Sequence, residues 1–297
     1  MKNSKPQHKP LLALSLALLS LGAQATEGGG GIYPNGNENF LVGAMPPPGS
    51  YVLAYAGHDH LTSLRDNSGN KIDLPFDVKA TFLATRIVRV TDTQVFGGQL
   101  AWHVIFPLVN LNVDVAGNRE SKFGLGDIVF GPGIGYHDGN LHYVFALDIN
   151  APTGSYDKNR MANLSRHYWN LEPLFTASYV QPSGVNADIK FMYDLNAENS
   201  ATKYKSGQEF HFDYALGWGF GNGWVAGVGG YVYRQITADK LEGASVAESK
   251  GQAMGFGPSI KYDNGKGFFI TAKWQQDFNV RNRAEGGGLR LKFSIPF

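Results

Sequence analysis

From Tyr51 onward, apolar and polar residues alternate with a period of two. This is the signature of extended chain with one apolar face. Phe210, Phe212, Tyr214, Leu216, Trp218 and Phe220 alternate with His211, Asp213, Ala215, Gly217 and Gly219. Ala187, Ile189, Phe191, Tyr193 and Leu195 alternate with Asp188, Lys190, Met192 and Asp194, and Leu141 to Ile149 behaves in the same way. Leu289, Leu291, Phe293, Ile295 and Phe297 close the chain on the same rhythm, with Arg290, Lys292 and Ser294 between them. Short turns are expected at Asp92-Thr93, His137 to Asn140, Pro182 to Gly184, Gly221 to Gly223 and Asp263 to Gly265, most carrying Asn, Asp or Gly for positive φ. Long polar stretches, roughly 58–77, 115–125, 152–168, 196–205, 237–250 and 280–286, fall between them. Five short turns and six long loops connect twelve strands.

A soluble sandwich would alternate too, but it has no reason to sort its connections by length. Sorted connections and a large aromatic apolar face predict an all-β, transmembrane, antiparallel up-and-down β-barrel of 12 strands. A bilayer enforces closure, because an open edge leaves backbone groups unpaired in hydrocarbon. The 38 glycines and 13% aromatic content suit bends and interfacial girdles. Trp218 and Trp224 flank one tight turn and Trp169 sits under a long loop, as girdle residues should. An even strand count puts both termini on the periplasmic side, with every long loop outside, and the last strand must pair with the one beginning near Tyr51. The final Phe297 resembles the C-terminal signal that barrel assembly machinery reads.

The first residues change what the chain is. Lys2, Lys5 and Lys9 precede an apolar run, Leu11 to Leu21, and Ala23-Gln24-Ala25 is an A-x-A cleavage site. Residues 1–25 are therefore expected to be a cleaved signal peptide, which leaves 272 of the 297 residues. That allows about 23 residues for each strand with its connection, more than the roughly 9–11 a tilted membrane strand needs. Loss of the three lysines leaves 23 basic against 25 acidic residues, a net charge of −2 that argues against a nucleic-acid partner. Without cysteine there is neither disulfide nor thiolate metal site. Residues 26–49 are rich in Gly, Asn and Pro and suit neither helix nor central strand. Their apolar stretch Phe40-Leu41-Val42 points to a segment folded into the lumen of the barrel at 50–297, as a plug.

The chemistry on the polar face is that of a pore wall. By alternation Asp148, Glu172, Asp188, Lys190, His211, Asp213, Lys273, Asp277, Arg290 and Lys292 face inward, with Asp194 beside them. Both signs occur on neighbouring strands, so these residues pair as lumen salt bridges, tune passage, or do both. No catalytic residue and no cofactor is expected. Gly131 to Gly135 is interrupted by Pro132 and followed by no helix, unlike a phosphate loop. His58-Asp59-His60 has metal-binding residue types in the first long loop but no third ligand at a useful spacing. An outer-membrane lipase needs a serine and a histidine base on the outer wall, and no serine here has that neighbourhood.

Gly124-Leu125-Gly126-Asp127-Ile128-Val129-Phe130-Gly131-Pro132, His142 to Asp148 and Ala151-Pro152-Thr153-Gly154-Ser155-Tyr156-Asp157 carry a family likeness, as does the Gly29 to Pro48 stretch. In these motifs the chain resembles the MetA-pathway of phenol degradation family, which includes SphA-like outer-membrane proteins. The resemblance implies an outer-membrane channel or transporter associated with catabolism of aromatic or other hydrophobic compounds, and no catalytic residues. The expected function is passive uptake or efflux of such compounds, with outer-membrane lipid and lipopolysaccharide, the assembly machinery and a small hydrophobic ligand as partners. The alternative is a structural or surface-binding barrel, its loop 152–168 meeting lipopolysaccharide through Lys158, Arg160, Arg166 and His167; a lipase or a secretion pore ranks lower. Tyr51 to Ala56 and Leu100 to Val113 are apolar on both faces. These strands are expected to touch a neighbouring protomer, in a homo-oligomer, or the N-terminal segment.

Overall fold

A computed structural model describes residue 27 and residues 30–295, except for the side chain of Ile295. The expected signal peptide, Thr26 and the terminal Phe297 lie outside the described residues. Sixteen strands form among the described residues: β1 (Gly49–Leu64), β2 (Phe76–Val95), β3 (Gly98–Val115), β4 (Asn118–Leu125), β5 (Ile128–Asp138), β6 (Leu141–Ala151), β7 (Asn170–Tyr179), β8 (Ser183–Asn196), β9 (Tyr204–Lys205), β10 (Glu209–Phe220), β11 (Trp224–Gln235), β12 (Lys240–Leu241), β13 (Ala244–Ser245), β14 (Gln252–Asp263), β15 (Phe269–Arg281) and β16 (Ala284–Ile295). The short β9, β12 and β13 make a small sheet of their own. β4 and β5 pair with successive stretches of β3 and are one strand broken at Gly126-Asp127. The wall thus has twelve antiparallel strands, and it closes where β1 pairs with β16, Ala54 opposite Phe293 and Leu64 opposite Ala284.

The alternation places side chains as expected. On β10, Leu216, Trp218 and Phe220 are 54–57% exposed on the outside, whereas His211, Asp213 and Ala215 are buried within. Such an outer surface is stable only against hydrocarbon. Aromatic rings run around it from strand to strand: Phe145 to Phe175 at 4.9 Å, Phe175 to Phe191 at 6.5 Å and Phe191 to Phe212 at 5.4 Å between centroids. Contacts of this kind fix strand register beyond what backbone pairing alone does.

The turns differ from the expectation at four places. Asp92 and Thr93 lie inside β2, and the chain reverses at Phe96-Gly97, both at positive φ (51° and 78°). A two-residue hairpin needs that geometry at both central positions, and Gly97 adopts it without steric cost. The expected loop at 115–125 is another such reversal, Ala116-Gly117 (φ 53° and 82°), from which β4 carries the hairpin on. The expected loop at 280–286 shrinks to Asn282-Arg283. His58, Asp59 and His60 stand on β1 rather than in a loop. Long connections remain at 65–75, 152–169, 197–208 and 236–251, all at the end opposite the five tight turns.

Candidate functional site

The interior is occupied by the segment preceding β1, which runs the length of the barrel. Asn199 and Tyr156, in long connections at one end, donate to the Glu27 carboxylate at 2.8 and 3.4 Å. Halfway along, Asp213 accepts from the Tyr33 hydroxyl (2.6 Å), the Gly36 amide (2.7 Å) and the Glu38 amide (2.8 Å). Phe40 is 1% exposed and packs with Ala215 and Val225, its ring tip 2.8 Å from where a Cβ on Gly217 would stand. Any larger residue at 217 would evict that ring. Near the tight-turn end the Val42 amide donates to Asp188 at 3.1 Å and the Gly43 amide to Ser178 at 2.7 Å, after which the chain enters β1. The sequence expectation put both ends of the chain on the tight-turn side. The two terminal barrel strands do meet there, but the segment carries the chain back to the opposite mouth.

The ten residues named from sequence lie on β6, β7, β8, β10, β15 and β16, where they form several ion pairs and hydrogen-bonded clusters. Asp148 bonds His103 at 2.8 Å, Glu172 pairs with Lys190 at 3.7 Å, and His211 bonds Asp194 at 2.8 Å. Arg290 pairs with Asp59 at 2.7 Å, and Asp277 accepts from Tyr231 at 2.7 Å. Five of the ten hold the segment: Asp188 and Asp213 as above, Lys273 through the Glu38 carbonyl (2.6 Å), Lys292 through the Glu38 carboxylate (2.8 Å), and Lys190 over the Tyr33 ring at 4.4 Å. The Glu38 carboxylate accepts from Lys292 at 2.8 Å and from the Tyr55 hydroxyl at 3.1 Å. Glu172, Asp194 and His211 each offer a ligand atom within 4.8 Å of the others, the residue types of a metal site. Lys190 beside Glu172 and the Asn170 amide on Asp194 (2.9 Å) already supply the positive partners of those carboxylates. His58 and His60 bond Thr81 and Asp77, while Asp59 points to Arg290, so that trio does not converge.

Across the lumen the wall changes character. In register across β1, β2 and β3 stand Leu61, Val78 and Val113; Gly57, Phe82 and Val109; Tyr55, Ala84 and Pro107; and Leu53, Arg86 and Ile105. Val129 of β5 extends the last row. Of these, Leu53, Tyr55, Leu61, Phe82, Ala84, Ile105, Pro107, Val109 and Val129 line, with Arg86, a cavity of about 510 Å³ between the wall and the N-terminal segment, which adds Leu41, Val42 and Met45. This explains why β1 and β3 read as apolar on both faces: one face meets lipid, the other the cavity and the segment. The expectation of a neighbouring protomer is not needed to account for it. Sequence reasoning missed Arg86, His103, Glu38 and Asp59 as members of the interior. Arg86 and His103 hide in strands without polar alternation, and Glu38 lies in a segment with no periodicity at all.

Comparison with known proteins places this architecture. The family model described as MetA-pathway of phenol degradation matches residues 62–293. No curated protein sequence matches the chain. Among solved structures, an outer-membrane channel from Pseudomonas putida F1 is 16% identical over 90% of this chain and 100% of that one, with a TM-score of 0.73. The β domain of the Bordetella autotransporter BrkA is 10% identical over 84% and 99% of the two chains, with a TM-score of 0.50. The translocator domain of the autotransporter NalP from Neisseria meningitidis is 11% identical over 86% and 91%, also at 0.50. The fold is that of an outer-membrane barrel.

Proposed function

The chain belongs to the MetA-pathway of phenol degradation family, and on that footing we propose that it is a passive outer-membrane channel for small hydrophobic or aromatic compounds. The observation that carries the reading is the apolar wall of β1 to β5 facing a cavity of about 510 Å³. Small-molecule sites are commonly apolar clefts of this size with a few polar groups. A pore for hydrophilic solutes has no use for Phe82, Ile105, Pro107 and Val109 on its inner face, since water wets such a surface poorly. Passage needs no coupling ion or nucleotide, and a molecule of one aromatic ring fits the space. The N-terminal segment narrows the lumen and acts as a partial plug, leaving the apolar side for the solute and the charged side to hold the plug.

Uptake of benzyl alcohol by cells lacking the protein, then complemented, tests this. The wild-type barrel should restore uptake; Phe82→Asp or Val109→Asp, each setting a charge in the apolar wall, should cut it about tenfold. Uptake that is equal with and without the barrel would sink the proposal.

A further inference from the structure

On the inner face of β1 to β3, Asp59 pairs with Arg290 and His103 with Asp148, whereas Arg86 has no such ion pair among the described residues. Arg86 is flanked in register by Leu53 on β1 and Ile105 on β3, with Ala84 and Val88 next on its own face of β2. All five line the cavity. The Arg86 Nε is buried and donates to nothing, and its only hydrogen bond among those observed is a long one from Nη1 to the Tyr55 hydroxyl, 3.4 Å. Among the described residues no carboxylate lies within ion-pair distance of it. The two acids whose charge acts on it are each bonded to other groups: Glu38 to Lys292 (2.8 Å) and Tyr55 (3.1 Å), and Asp148 to His103 (2.8 Å).

A guanidinium keeps its charge in any surroundings and offers donors in a planar fork that matches a carboxylate. Water in the cavity can solvate the part of the guanidinium that is not buried. A neutral hydrophobic molecule entering would displace that water and leave the charge without a partner, which is costly in an apolar enclosure. An anionic group arriving on the same molecule removes that cost and gains charge-assisted hydrogen bonds.

We infer that the cavity selects amphipathic organic anions: a hydrophobic or aromatic body lies along Phe82, Pro107 and Val109, and its carboxylate or phenolate is held by Arg86. This rests on the transport reading and narrows it to a substrate class. Arg86 is here a specificity-determining residue.

The test is equilibrium binding of radiolabelled benzoate, with benzyl alcohol as the neutral counterpart, to the full-length barrel in detergent micelles, for wild type, Arg86→Gln and Arg86→Lys. Resistance to unfolding by SDS at room temperature confirms that each barrel is folded. Wild type should prefer benzoate by about tenfold or more, the scale of one charge-assisted pair. Arg86→Gln should abolish the preference, weakening benzoate binding about tenfold and leaving benzyl alcohol bound at least as tightly as in wild type because no charge is stranded, and Arg86→Lys should keep part of it, since the point charge remains without the fork. Equal binding of the two ligands by wild type, or a preference unchanged in Arg86→Gln, overturns the assignment and leaves the channel reading standing. Cells whose uptake of neither benzyl alcohol nor benzoate depends on the barrel refute the channel reading instead, and the substrate class with it.

Discussion

Asp213 accepts three hydrogen bonds from a stretch of six residues, Tyr33 to Glu38. Replacing it by Ala leaves two backbone amides without acceptors beside a dense charge network, which should loosen the segment by roughly 3 kcal/mol. Limited proteolysis should then cut within 30–48, where the wild type resists, while the barrel itself stays folded. Glu38→Gln removes the carboxylate that bonds Lys292 and Tyr55, so planar-bilayer currents should become noisier as the segment loosens. An unchanged trace would mean that Glu38 does not hold the segment.

At the scale of strands and turns, the Phe96-Gly97 reversal depends on backbone conformation rather than space. A Cβ on Gly97 would meet no atom within 4 Å, yet its φ is 78°. Gly97→Val should therefore cost about 1–2 kcal/mol from strain alone, read as a lowered midpoint of urea unfolding in lipid vesicles. How much of the fold was legible in the sequence follows from the same local physics. β8, β10 and β16 declared their faces because one side meets hydrocarbon and the other a charged lumen, so apolar and polar residues had to alternate. β1 and β3 did not, since Tyr51 to Ala56 and Leu100 to Val113 are apolar on both faces, and the cavity wall with Arg86 between them on β2 went unseen for that reason. The turns were read from Asn and Asp, whereas the reversals at Phe96 and Ala116 place a residue with no turn preference before a glycine. That five of the ten residues expected to face inward bond the N-terminal segment was not legible, because Tyr33, Gly36 and Glu38 sit in a stretch without a repeat.

For the whole molecule, twelve strands enclose a lumen between the filled interior of small barrels and the open channel of large ones. The N-terminal segment decides which of the two it resembles. Deleting residues 30–47 removes Phe40 and the partners of Asp188, Asp213, Lys273 and Lys292 while leaving every wall strand paired. Single-channel conductance should rise severalfold, and the unpaired charges should make the current more sensitive to ionic strength. A shortened barrel with wild-type conductance would show that the segment does not restrict flow.

The path of that segment also sets an order of events during biogenesis. It is continuous with β1 at one mouth, reaches the loops at the other, and is surrounded by a wall sealed at the β1–β16 seam. A chain cannot pass sideways through a closed ladder, so the segment must already lie in the groove of the unclosed sheet when the seam zips, or be drawn through the pore afterwards. Either route excludes bulk at its leading end. A compact reporter domain fused ahead of Glu27 should stall maturation at an open-seam intermediate, whereas the same domain inserted in the loop at 236–251 should be tolerated.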